Sequence, residues 1–169
     1  MLCTRVHGVT TKAVILETEA YAGETDKASH AFGGRRTART EPMYAEGGIA
    51  YVYLCYGIHH LFNVVTNTSG TPHAVLIRGG RPVSGQQTML RRRRRKVADK
   101  RLMAGPGTLS QALGIKSRMT GTDLSGKRIW LEDQELTVEQ KHVEVGPRVG
   151  VDYAAEHAAL PYRFLWHSS

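Results

Sequence analysis

The chain has 169 residues, 41% of them hydrophobic, and a formal net charge of +8. That length holds one compact domain with a real core and leaves no comfortable room for two, so residues 1–169 are read as a single domain. The apolar content excludes an intrinsically disordered chain. The absence of an apolar run of eighteen or more residues excludes a transmembrane helix. Residues 1–10 lack the apolar core of a signal peptide, so a cytoplasmic or nucleoid location is expected, nuclear in a eukaryote.

In chain order, Val14–Tyr21 reads as a strand, with Glu17, Glu19 and Tyr21 on one face and Leu16, Thr18 and Ala20 on the other. Phe32–Gly48 follows as a loop rich in Gly, Arg and Thr. Ile49–Leu54, Leu61–Asn67 and His73–Arg78 read as three further strands, separated at Gly57 and at Gly70-Thr71-Pro72. Gly85–Met103 has helical composition. A short helix opens at Pro106-Gly107 and ends at Gly114. Arg128–Leu131, Val143–Val145, Arg148–Val151 and Tyr162–Trp166 read as later strands. Strands mixed with helices, without regular alternation, predict an α+β fold with a largely antiparallel sheet.

The charge is local. The run Arg91-Arg92-Arg93-Arg94-Arg95-Lys96 carries six of the net eight positive charges. A concentrated patch suits a polyanion such as DNA, and equally a solvated basic helix face. The two cysteines, Cys3 and Cys55, have no metal spacing and are expected to be free, with Cys55 buried as a small hydrophobe. His30, His59 and His60 form no ligand set, so no metal and no other cofactor is expected.

The densest chemistry lies in Glu17-Thr18-Glu19-Ala20-Tyr21. Carboxylates two residues apart on a strand are about 7 Å apart, a separation that suits glycosidic hydrolysis with one acid and one base. By itself this fits a sugar hydrolase or a merely exposed strand face. Tyr51 and Tyr53 share a face of the second strand, and Tyr56 precedes Gly57, where the chain turns. Such aromatics near basic residues suit base stacking, or else pack inward with a polar tip outward. Gly33-Gly34-Arg35-Arg36-Thr37-Ala38-Arg39-Thr40 is a phosphate-binding candidate or an ordinary basic turn.

Taken together, these segments resemble the alkyladenine (3-methyladenine) DNA glycosylases. The resemblance rests on Glu17–Tyr21, Ala28-Ser29-His30, Gly34-Arg35-Arg36-Thr37, Tyr51–Gly57, Phe62-Asn63, Ala74–Arg78, Gly105-Pro106-Gly107-Thr108-Leu109 with Gln111-Ala112-Leu113, and Gly146–Val151. These motifs follow the family's order and span about residues 12 to 166. Family members usually carry a helix and strand before the position of Leu2, so the chain is expected to begin partway through that region. Its C-terminus, residues 164–169, is shorter than usual.

The resemblance implies a single α+β domain with a curved, largely antiparallel sheet and surrounding helices. It implies a monofunctional enzyme that flips a damaged purine from double-stranded DNA and hydrolyses its glycosidic bond without strand cleavage. The purines implied are 3-methyladenine, 7-methylguanine, hypoxanthine and ethenoadenine. Glu19 corresponds to the general base, Arg78 and the Val149 carbonyl to the groups that position its water, and Glu17 to a supporting residue. Tyr21, His30 and Tyr53 correspond to the walls of the base pocket, and Asn63 to the residue that screens against normal guanine. Tyr56 corresponds to the wedge in the duplex, and Arg35 and Thr37 to phosphate contacts. A monomer suffices for one wedge and one pocket. A related module that binds DNA without releasing a base remains an alternative.

Overall fold

The computed structural model describes residues 1–167; Ser168 and Ser169, the end of the short C-terminal segment, lie outside the described residues. The sheet begins with a hairpin, β1 (Leu2–Val6) and β2 (Val9–Tyr21), joined at His7-Gly8 with φ of 51° and 77°. Positive φ at both central residues gives a turn whose twist matches that of paired strands. β1 was not expected from the sequence. Its Leu2 and Cys3 are fully buried because β1 lies between β2 and β6 (Ile129–Leu131).

β3 (Ala50–Cys55), β4 (His59–Val65) and β5 (Ala74–Ser84) complete the main sheet in the order β3-β4-β5-β2-β1-β6. β8 (Arg163–Trp166) pairs with β2 beyond the end of β1, and β7 (Val143–Gly146) pairs with β8. Every strand pair is antiparallel, and the sheet curls into a half-barrel, so the α+β expectation holds.

Alternation along the strands divides the sheet's two faces. Val52, Phe62 and Ile77 point toward α1 (Gln86–Arg93) and α2 (Pro106–Leu113), where they pack with Met89, Leu109 and Leu113. Tyr51, Val65 and Ala74 belong to a second cluster, with Ala31, Met43 and Tyr44 of the long loop after β2. On this second face, register aligns Glu19 with Leu76, Leu76 with Asn63, and Asn63 with Tyr51. One rank across four strands thus gathers residues that are far apart in sequence. Further along β5, Gly80 lets that strand approach β2: a Cβ there would stand 2.7 Å from the Val14 carbonyl oxygen.

Three expectations are corrected. Helix α1 ends at Arg93 instead of filling Gly85–Met103. Arg94 turns left-handed (φ 52°), and the amides of Arg94 and Arg95 cap the carbonyls of Arg91 and Leu90. Like charges one turn apart also disfavour extending this helix. Arg148–Val151 is not a strand. Gly150 has φ of 73°, and the Val149 amide bonds a carboxylate rather than a neighbouring strand. Cys55 is half-buried near a hairpin tip, whereas Cys3 is the buried thiol; both are free.

The basic run is only partly a solvated surface. Arg92 donates to the Ala112 carbonyl (3.0 Å), Arg93 to the Leu102 carbonyl (3.2 Å), and Arg95 to Asp99 (2.9 Å). Among the described residues, no helix is long and apolar enough to cross a membrane.

Candidate active site

A cleft of about 930 Å³ opens on the sheet face away from α1. Its walls include Tyr21, His30, Arg35, Arg39, Tyr53, Tyr56, Arg78, Gly107, Val149 and Tyr153. A narrow recess of about 40 Å³ adjoins it, lined by Tyr21, Ser29, His30, Tyr51, Tyr53, Asn63 and Tyr153 among others.

Glu19 lies one layer beneath the wall, fully buried on β2. Its Oε1 accepts the Val149 amide at 2.7 Å and lies 3.3 Å from Arg78 Nη1. Its Oε2 accepts the Tyr21 hydroxyl at 2.9 Å. Burial, followed by the Glu19 charge, pushes the Tyr21 phenol up from its ordinary range, so its hydroxyl stays protonated and donates. Each carboxylate oxygen can accept about two hydrogen bonds. Oε1 therefore accepts one hydrogen bond, from the Val149 amide, and faces the Arg78 charge, while Oε2 retains a position for a further donor beside the Tyr21 hydroxyl.

Glu17 is also buried, which removes the reading of this segment as an exposed strand face. Its Oε1 accepts from Arg78 Nε (3.0 Å) and from Arg163 Nε (2.6 Å). Arg78 therefore spans both carboxylates. The β2–β5 ladder is irregular between Ile15 and Thr18, where Glu17 pairs with Gly79 and Thr18 with Ile77, so Arg78 is left between partners. A Cβ on Gly79 would lie 3.3 Å from Glu17, which keeps this approach close.

The aromatic walls meet at defined angles. The His30 ring stands edge-on to Tyr53, with centroids 4.6 Å apart, and Tyr51 lies 5.6 Å from Tyr53. His30 Nδ1 and the Tyr51 hydroxyl are hydrogen-bonded at 2.9 Å. Burial, then the nearby Arg39 and Arg35 charges, push the His30 imidazole down to about 4. It is thus neutral at physiological pH. Burial likewise pushes the Tyr53 phenol up. Asn63 is buried, and its amide nitrogen donates to the Tyr51 carbonyl at 3.1 Å.

The β3–β4 hairpin carries Tyr56 at its tip, 92% exposed. Tyr56 and Gly57 both have positive φ, and the Ile58 amide closes the turn onto the Cys55 carbonyl (3.1 Å). Leu54 and Ile58 flank it, also exposed, so the tip presents an apolar point beside the cleft.

The basic loop divides its charges. Arg35 and Arg39 reach the cleft, and Arg39 lies 5.1 Å from the Tyr53 ring centroid. Arg36 is held by Glu41 (2.8 and 2.7 Å). Thr37 does not line the cleft; its amide donates to the Thr40 hydroxyl.

The structure therefore brings together Glu19, Tyr21, His30, Tyr53, Asn63, Arg78 and Val149, with Tyr56 and Arg35 at the rim and Thr37 outside. Sequence reasoning missed Tyr153, and it raised Arg39 and Tyr51 only as part of the basic loop and the aromatic face without placing them in the pocket wall. Tyr153 is 69% exposed, and its hydroxyl is anchored on the Ala28 carbonyl at 3.0 Å. Tyr51 carried a signal, its shared face with Tyr53; Tyr153 carried none, because it sits in an irregular helical segment, Asp152–Ala159. Among the described residues, no three His, Cys, Asp or Glu side chains gather as metal ligands.

Comparison with known proteins accords with this geometry. A family model described as Methylpurine-DNA glycosylase matches residues 1–169. A Chlamydia felis protein is 45% identical over 167 residues, covering 97% of this chain and 84% of its own length. A Bacillus cereus protein is 43% identical over 172 residues, covering 95% of this chain and 82% of its own. Both bear the provisional name 3-methyladenine DNA glycosylase. By family match and identity across nearly its whole length, this chain belongs to the methylpurine-DNA glycosylases.

Proposed function

We propose that the protein extrudes an alkylated or deaminated purine from duplex DNA and hydrolyses its N-glycosidic bond with water activated by Glu19. Membership of a DNA glycosylase family makes damaged DNA the partner. The observation that carries the mechanism is Glu19 itself: a fully buried carboxylate under an aromatic cleft, with one acceptor position open on Oε2. A water bonded there, and steadied by Arg78 and the Val149 carbonyl, gives up its proton to Glu19 as the sugar gains oxocarbenium character.

Tyr21, His30 and Tyr53 enclose the flipped base. For 3-methyladenine and 7-methylguanine, which carry positive charge, ring faces attract the cation and a neutral His30 does not oppose it. The same charge makes these bases good leaving groups. Hypoxanthine and ethenoadenine are neutral and draw on shape and stacking alone. Asn63 offers its amide where an exocyclic amino group of normal guanine would sit. Tyr56 fills the gap in the base stack and recovers part of the few kcal/mol that flipping costs. Arg35 contacts phosphate. Lys27, which lines the cleft, is paired with Glu156 (2.6 Å), and attack by a Glu19-activated water leaves no covalent enzyme–sugar intermediate, so in this reading the enzyme is monofunctional and leaves the strand uncut. One wedge and one pocket suffice for action as a monomer at the chromosome.

The test is release of free 3-methyladenine from methylated duplex DNA. Glu19→Gln should lower release by about 100-fold or more while damaged-DNA binding survives. Glu17→Gln should retain measurable release. An active Glu19→Gln beside an inactive Glu17→Gln overturns the assignment.

A further inference from the structure

Asp26 and Arg148 form an ion pair with both side chains sealed from solvent, 1% and 0% exposed. Arg148 Nη1 donates to Asp26 Oδ2 and to the Ala20 carbonyl (2.9 Å). Its Nη2 donates to Asp26 Oδ1 (2.9 Å) and to the His157 carbonyl (3.2 Å). Asp26 also accepts the amides of Ala22 (3.1 Å) and Ala28 (3.0 Å). The guanidinium lies 4.8 Å from the Tyr21 ring centroid and 5.2 Å from that of Tyr162.

Neither residue lines the cleft, yet the pair ties together three of the segments around Glu19. Ala20 and Ala22 bracket Tyr21 at the end of β2. Ala28 leads into Ser29 and His30. Arg148 directly precedes Val149, whose amide holds Glu19 Oε1. Buried ion pairs add little net stability, because desolvation offsets their attraction. Here Arg148 Nε is also buried without a partner, which adds to that cost. Alignment is what the arrangement secures: a rigid planar fork fixes the back of Tyr21 and the path of residues 147–149 together.

We propose that Arg148, held by Asp26, is a positioning residue that sets the rate of base release and leaves DNA affinity nearly unchanged. It acts by fixing Tyr21 and the Val149 amide about Glu19, and so rests on the role proposed for Glu19. Lysine cannot replace it: one ammonium cannot lie flat on Tyr21 while reaching Asp26, Ala20 and His157.

The experiment compares the parent protein with Arg148→Lys, Arg148→Met and Asp26→Asn. Single-turnover release of 3-methyladenine from a methylated duplex gives the rate. Affinity is read with a duplex carrying a tetrahydrofuran abasic analogue. All three variants should lose about 30-fold or more in rate, within the range that sub-ångström to ångström misplacement causes. Affinity should stay within about threefold, since no DNA-facing group has changed. Near-parental rates in Arg148→Lys, or parallel losses of rate and affinity, overturn the proposal. So does an Arg148→Lys chain that fails to fold, because the pair would then serve folding itself. An inactive parent, or a fully active Glu19→Gln, instead sinks the hydrolase reading and this one with it.

Discussion

His30 offers a quantitative test, because its imidazole is pushed from 6.5 down to about 4 by burial and by Arg39 and Arg35. The folded protein thus holds His30 neutral while the unfolded chain protonates it. Between these two values the unfolded state binds more protons, so stability is intact above about pH 7.5 and falls as pH drops through 6.5. The loss levels off below pH 4, at about 3 kcal/mol for a shift of this size. By pH 5 it amounts to about 2 kcal/mol. Urea unfolding at pH 7.5 and pH 5, on the parent and on His30→Gln, isolates the contribution, because all other groups titrate in both chains. The parent should lose about 2 kcal/mol more than the variant over this interval. Equal losses, within about 0.5 kcal/mol, would refute the burial argument and with it the neutral pocket wall. A protonated His30 about 5 Å from a cationic purine would oppose it by about 3 kcal/mol at an effective dielectric of 20.

Tyr56→Ala should leave stability within about 0.5 kcal/mol, since the ring is 92% exposed. The same change should remove the fluorescence response of a duplex carrying ethenoadenine; an unchanged response would remove the wedge role. Thr4→Val should cost about 1–3 kcal/mol in urea unfolding, because the buried Thr4 hydroxyl donates to the Leu113 carbonyl (2.6 Å) and that acceptor would lose its partner. Base release at low temperature should be unaffected, and a neutral unfolding curve would contradict the bond.

Much of the site follows from short-range periodicity. Glu17, Glu19 and Tyr21 alternate along one strand, as do Tyr51 and Tyr53, so their shared faces could be read from spacing. Turn chemistry at Gly57 placed Tyr56 at a tip. What escaped reading depends on contacts distant in sequence. Asp26 and Arg148 are 122 residues apart, and nothing near either of them announces the pair. The segment at Val149 looked extended because Val149 and Val151 are β-branched; the hydrogen bond from the Val149 amide to Glu19, 130 residues away, decided otherwise. The arginine run announced charge but not destination. Arg92 and Arg93 turn to carbonyls of neighbouring segments, a tertiary outcome that composition does not encode.

The alignment of Glu19, Leu76, Asn63 and Tyr51 across four strands bears on which length changes the chain can absorb. Inside β4 or β5, deletion of one residue would rotate everything beyond it to the opposite side, carrying Asn63 or Arg78 out of the cavity. In the connection between β4 and β5, residues 66–73, added or removed residues shift no strand pairing and cost loop entropy together with the bonds that tie this segment to Tyr44 and Glu46. Natural and engineered length variation should therefore be confined to such connections, with the strand interiors fixed in number.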